Sequence, residues 1–159
     1  PPPCHLPPDR AGGMLRGTFL AKVDDKGRLK LPSKFRTIIE PRFGREFFVT
    51  SLAGESIRIY PMEIWAGIEQ KLSATSGFKP ALVRFKNRVN YFGQVANMDS
   101  QGRVLLHPLV REKADVRGEV AVLGQQNFLE VWNHAELERK LEAEPLTEAD
   151  LDNLADLGI

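Results

Sequence analysis

Two short segments carry the side chains best suited to chemistry. Val23-Asp24-Asp25-Lys26-Gly27-Arg28-Leu29-Lys30-Leu31 is echoed by Met98-Asp99-Ser100-Gln101-Gly102-Arg103-Val104-Leu105-Leu106. Asp, Gly and Arg recur at identical spacing, and hydrophobes fill matching places. Gly27 and Gly102 suit a tight turn that needs a positive φ. An Asp four positions before an Arg can meet it across such a turn, as a surface pair worth at most about 1 kcal/mol. The same tip can present the Arg to a phosphate or to a guanine edge, which a planar guanidinium bonds bidentately. The two readings are compatible, because the Asp can orient the Arg. The first segment is the richer in charge. Lys22, Lys26, Arg28 and Lys30 fall within nine positions, whereas the second has Gln101 and Leu105 where the first has Lys26 and Lys30.

Catalysis finds no comparable constellation. Asp24 and Asp25 are adjacent carboxylates, but neighbouring side chains on extended backbone point to opposite faces, so the two do not share an acid–base site. His5, His107 and His134 are scattered, and His107 stands where the first segment has Pro32. No Ser-His-Asp order, phosphate loop or metal-ligand spacing stands out. Cys4 is the single cysteine, which excludes an internal disulfide and a cysteine-only metal site. The reading is of a non-enzyme, with no cofactor and no metal.

Charge distribution points to a polyanion. The net charge of the 159 residues is only +1. Residues 1–132 nevertheless hold 20 Lys and Arg against 13 Asp and Glu, and residues 133–159 hold 2 against 8. A basic body with an acidic tail fits a nucleic-acid partner. No apolar run approaches the roughly 18 residues of a membrane-spanning helix. The start lacks the pattern of a secretion signal. The expected location is cytoplasmic, associated with the nucleoid.

The elements that must position the two tips follow from a longer repeat. Phe35-Arg36 matches Val110-Arg111, Glu46-Phe47-Phe48-Val49 matches Glu119-Val120-Ala121-Val122, and Ile57-Arg58-Ile59-Tyr60 matches Leu129-Glu130-Val131-Trp132. The offset drifts from 75 to 72 positions, as expected of two copies of one unit with shortened loops. Each unit reads as two strands, a short helix, two strands and a helix. In the first unit these are strands at 18–23 and 28–31, a helix at 33–39 stopped by Pro41 and Gly44, strands at 46–50 and 56–60, and a helix at 61–72. In the second they fall at 93–98, 103–107, 108–114, 119–124, 128–132 and 133–144. Residues 1–13, with five prolines, read as a flexible leader outside the fold. The organisation is therefore leader 1–13, first unit 14–75, linking amphipathic helix 76–92, second unit 93–144 and acidic C-terminal helix 145–159. Thr147 and Asp150 suit a capping-box variant, and Leu151, Leu154 and Leu157 form a stripe that should dock on this chain or on a neighbour.

Met14-Leu15-Arg16-Gly17, the two Asp-x-x-Gly-Arg segments, Pro32 and Phe35-Arg36 together resemble the MraZ family, bacterial transcription regulators with two tandem AbrB-like units. The resemblance runs from Met14 nearly to the C-terminus. It implies an α+β, β-rich fold, a tandem swapped-hairpin β-barrel in which two β-β-α-β-β units pack as a pseudo-dimer with flanking helices. It implies a repressor that binds direct repeats in the promoter of its own cell-division and cell-wall gene cluster. It also implies a closed homo-oligomeric ring of about eight to twelve subunits, since head-to-tail contacts must close. By the same resemblance Arg28 and Arg103 contact DNA. Lys22, Lys26, Lys30, Arg16 and Arg36 surround the first, with Gln101 and Arg111 on the second unit. Asp24, Gly27, Asp99 and Gly102 orient the tips.

The second tip departs from the first through Ser100, Gln101 and Leu105, and Ala96-Asn97 provides no cation matching Lys22. The first unit should therefore carry most of the DNA affinity. Two other readings stay open. AbrB-like units also occur in antitoxins, where a C-terminal segment wraps a partner protein. The same basic surface could bind RNA, although only Phe19 offers an aromatic ring beside the basic tip.

Overall fold

The computed structural model describes residues 14–75, 77 and 79–159. The leader, with Cys4 and His5, lies outside the described residues, as do Ser76 and Phe78 of the linking segment. The order is β1 (Leu15–Val23), β2 (Arg28–Lys30), α1 (Ser33–Phe43), β3 (Glu46–Thr50), β4 (Ile57–Pro61), α2 (Met62–Ala74), α3 (Pro80–Phe92), β5 (Gln94–Asn97), β6 (Arg103–Leu105), α4 (Pro108–Lys113), β7 (Gly118–Gln126), β8 (Leu129–Asn133), α5 (His134–Ala143) and α6 (Glu148–Ala155).

All eight strands join one sheet in the order β5-β3-β4-β8-β7-β1-β2-β6. The outermost strands in that order, β5 and β6, are consecutive in the chain and joined by the Asp99–Gly102 turn, so the sheet curls into a nearly closed barrel. The pairing interleaves the repeats. β1 runs antiparallel to β7 of the second unit along its whole length, from Leu15↔Gln126 to Val23↔Gly118. Its counterpart β5 pairs in the same way with β3 of the first unit. The equivalent strands β2 and β6 pair with each other, as do β4 and β8. This is the tandem swapped-hairpin barrel that the resemblance implies.

The interleaving explains where the sequence reading fell short. Strand β1 starts at Leu15 rather than at residue 18, and β7 extends to Gln126 rather than 124, because each is completed by the other's ladder. Arg16 and Gly17 have no β-propensity of their own to signal this. Helix α1 passes through Pro41 and ends at Phe43. A proline in the last turn removes only one intrahelical bond. Gly44, at φ 82°, makes the stop, its N–H donating to the Glu40 carbonyl.

Alternation packs the barrel. Leu29 and Val104, at the centres of β2 and β6, are buried, as are Val49, Ile57, Ile59, Val120, Val122, Leu129 and Val131 on the other strands. Phe35 and Ile39 of α1 are buried in the same core, with Phe35 edge-on to Phe19 at 5.0 Å. A second cluster fixes the outer helices. Trp65 of α2 stacks on Phe48 at 4.6 Å, and Val89 of α3 is buried beside them. The Thr50 hydroxyl donates to the Val89 carbonyl at 2.7 Å, tying α3 to β3. At the acidic end, the predicted capping box forms between Thr147 and Asp150.

Because each half completes the other's sheet, one core serves both. Phe35→Ala should lower stability by about 3–5 kcal/mol, the usual cost of emptying a buried Phe site. Urea unfolding followed by circular dichroism and by Trp fluorescence should still show one coincident transition. Two separate transitions would mean that the halves fold independently.

Candidate nucleic-acid interface

The two turns are built alike. After β1, the Asp24 Oδ1 accepts the backbone N–H groups of Lys26 and Arg28 at 3.0 and 2.9 Å, and its Oδ2 accepts the Arg28 Nε at 2.8 Å. After β5, the Asp99 Oδ1 accepts the N–H groups of Gln101 and Arg103 at 2.9 Å each, and its Oδ2 accepts the Arg103 Nε at 2.8 Å. Gly27 and Gly102 sit at φ 80° and 77°, the left-handed region that an L side chain enters at a cost. Each Asp thus closes the turn and grips one edge of the guanidinium. Among the described residues no partner engages the two terminal nitrogens of either Arg, so each keeps a fork of donors for a ligand.

Pairing between β2 and β6 brings the two motifs together. Arg28 lies opposite Leu105, Leu29 opposite Val104, and Lys30 opposite Arg103. Leu29 and Val104 point into the core, so Arg28, Lys30, Arg103 and Leu105 share the outer face. Arg28 and Arg103, 75 positions apart in the chain, become diagonal neighbours on a ladder where such positions lie about 7–8 Å apart. Lys22, Lys26, Lys30, Arg16 and Gln101 are exposed, and Arg28 and Arg103 are half-buried. Among the described residues Arg16, Lys22, Lys26 and Lys30 form no ion pair.

Arg36 and Arg111 have a different setting from the exposed cations. Arg36 is half-buried against the opposite tip, where a Cβ on Gly102 would overlap its guanidinium. Arg111 stands in the same relation to Gly27, and its Nη1 donates to the Leu106 carbonyl at 3.3 Å. Backbone bonds complete the exchange. Leu106 N–H donates to the Gly27 carbonyl at 2.9 Å, and Leu31 N–H to the Gly102 carbonyl at 3.0 Å. Each turn is therefore braced by the other unit. The φ calls for glycine, and a Cβ there would also displace the guanidinium beside it.

Two residues of this surface escaped the sequence reading. The Arg45 Nη2 donates to the Asp99 carbonyl at 3.0 Å and buttresses the second turn. Nothing in the motif signals a residue 54 positions away. Leu105 is 52% exposed beside the arginines. It stands out in sequence only as the hydrophobe at the position of Lys30.

A family model described as "MraZ protein, putative antitoxin-like" matches residues 14–88 and 94–156. This chain belongs to the MraZ family. The interruption, residues 89–93, takes in the last turn of α3 and Gly93, just before the second repeat opens with β5. The chain is 45% identical over 146 residues to a relative from Acidobacterium capsulatum named "Transcriptional regulator MraZ", covering 92% of this chain and all of the relative. A relative of the same name from Koribacter versatilis is 45% identical over 147 residues, with the same coverage. Another, from Escherichia coli, is 32% identical over 152 residues, again across 92% of this chain and the whole relative.

The turns carry a pH signature. The Asp24 carboxyl is held below its ordinary 3.8, chiefly by the backbone N–H of Arg28. Desolvation opposes this, and the Arg28 side chain and the Lys26 N–H assist it. Asp99 is lowered likewise, first by the backbone N–H of Arg103. A carboxyl whose folded pKa lies below its unfolded value adds stability that is complete above the unfolded value, about pH 4, and is lost as pH falls through the folded one. Urea midpoints should therefore drop between pH 5 and pH 2.5. The drop should be smaller in the Asp24→Asn, Asp99→Asn double variant; an equal drop would deny the turns this role.

Proposed function

We propose that this MraZ-family chain is a sequence-specific DNA-binding transcriptional regulator. It represses by occupying direct repeats in the promoter of its own cell-division and cell-wall gene cluster, in the cytoplasm at the nucleoid. The observation that carries the reading is the β2–β6 ladder, which sets two Asp-held arginines and Lys30 on one exposed face. A two-stranded ribbon fits the major groove, and the free fork of Arg28 or Arg103 matches the O6 and N7 acceptors of guanine. Lys22, Lys26, Lys30 and Arg16 neutralise phosphates, and Gln101 extends polar contact at the second tip. Arg36 and Arg111 act on DNA through the tips, by holding Gly102 and Gly27 in place. Leu105 offers an apolar contact to a thymine methyl. The names of the relatives support a regulator, and the family resemblance supports repeat binding and a ring. On a ring, individually weak contacts to successive repeats become strong together.

A protein-interaction module of antitoxin type is the second reading, favoured by the acidic α6 with no buried residue. It leaves the Asp-held arginines without a purpose.

Arg28→Ala should abolish preference for the native upstream duplex over a base-shuffled one while leaving the urea midpoint nearly unchanged. Lys26→Ala should weaken binding to both duplexes alike and reduce the slope of log K against log salt by about 0.9. Unchanged preference in Arg28→Ala would overturn the assignment. No binding by the native chain to either duplex would favour the interaction module.

A further inference from the structure

Among the described residues two surfaces of opposite charge stand uncovered. Helix α3 carries Arg84, Lys86 and Arg88 and no acidic residue. All three are exposed, and among the described residues none forms an ion pair. Between its C-terminal half and α4 runs an open groove lined by Asn87, Arg88, Tyr91, Phe92, Leu109 and Lys113. Tyr91 is 63% exposed and Leu109 40%. The groove is a built feature. Val89 and Phe92 anchor α3 from below, and the His107 ring, at the start of α4, bonds the Phe92 carbonyl at 2.5 Å.

Helix α6 is the complement. It carries Glu148, Asp150 and Asp152, followed by Asp156 at its C-cap, and no cation. Its Leu151 and the following Leu157 are exposed, and none of its residues is buried. Eight residues are too few to hold a helix in water by propensity and one capping box alone. The Leu stripe needs a surface. Among the described residues the chain does not supply its own, although Ala143, just before the α6 linker, and Lys113 line one depression. The described residues of a single copy thus leave an apolar basic groove and an apolar acidic helix both uncovered.

We infer that α6 of one copy docks in the α3–α4 groove of a second copy. The Leu stripe covers Tyr91, Phe92 and Leu109, and the acidic side faces Arg88, Lys113 and Arg84. The contact is head-to-tail, with a donor helix on one side and an acceptor groove on the other, so repetition builds a ring if the rotation closes. This inference rests on the self-assembly within the proposed function. It adds the surfaces that make the contact and separates them from the DNA face on β2 and β6.

Light scattering and native mass spectrometry of the full chain test it. Leu151→Glu and Tyr91→Glu alter exposed residues and should each weaken association about ten- to a hundredfold, as expected from losing one buried apolar side chain. Arg88→Glu and Asp152→Lys should each weaken it several-fold by placing like charges together. An equimolar mixture of those two variants should restore the native mass, because each groove then meets a helix of opposite sign. Native mass in Leu151→Glu and Tyr91→Glu would overturn the contact while leaving self-assembly intact. A native chain that is monomeric throughout would remove self-assembly itself. Failure of the mixture to recover, with recovery in the Arg88→Glu, Asp152→Lys double variant, would place α6 in its own groove and overturn exchange between copies. Loss of DNA binding in Arg88→Glu at unchanged mass would make α3 a DNA face and overturn the proposal.

Discussion

The antiparallel pairing of β2 with β6 is the constraint on which the rest of the molecule depends. Each is only three residues long, and each is the second strand of a turn whose first strand is completed by the opposite unit. Leu29 and Val104 meet at the centre of this short ladder and are fully buried. That pins the register. A slip of one residue would turn both hydrophobes outward and both arginines into the core. The outer face can therefore hold Arg28, Lys30 and Arg103 together only because its inner face is a piece of the core.

The turns add a second level of order. An Asp carboxylate that accepts two backbone N–H groups and one guanidinium edge leaves little freedom in the loop. The reciprocal wedging of Arg36 at Gly102 and Arg111 at Gly27 ties each loop to the helix of the other unit. The arginines are thus organised before any ligand arrives, so less side-chain entropy remains to be lost on binding. The same arrangement divides the labour among cations. Arg16, Lys22, Lys26 and Lys30 are exposed and unpaired among the described residues, whereas Arg36 and Arg111 are packed parts of the scaffold.

The helices form a separate layer of structure. Stacking of Phe48 on Trp65 and burial of Val89 fix α2 and α3 outside the sheet. The basic side of α3 is turned to solvent. The acidic excess of residues 133–159 is concentrated in α5 and α6 and the segments that follow them. The near-zero net charge is thereby resolved into two basic surfaces and one acidic helix, each with its own partner in the proposed scheme.

Much of this was legible in the residues alone. The exact recurrence of Asp, Gly and Arg, the alternation around Leu29 and Val104, and the Thr147–Asp150 cap are local signals, set by turn geometry, period and capping chemistry within a few positions. Membership of the family followed from the same motifs. What only the tertiary structure decided was long-range. It set the pairing of β1 with β7, which extends both strands beyond their own propensity, and it joined the two tips into one face across 75 positions. It also turned Arg36 and Arg111 into braces, since a side chain's neighbours across an interleaved barrel leave no trace in its own segment. A turn is encoded by the residues that make it, but a surface assembled from two turns exists only once the intervening chain has closed the barrel around its core.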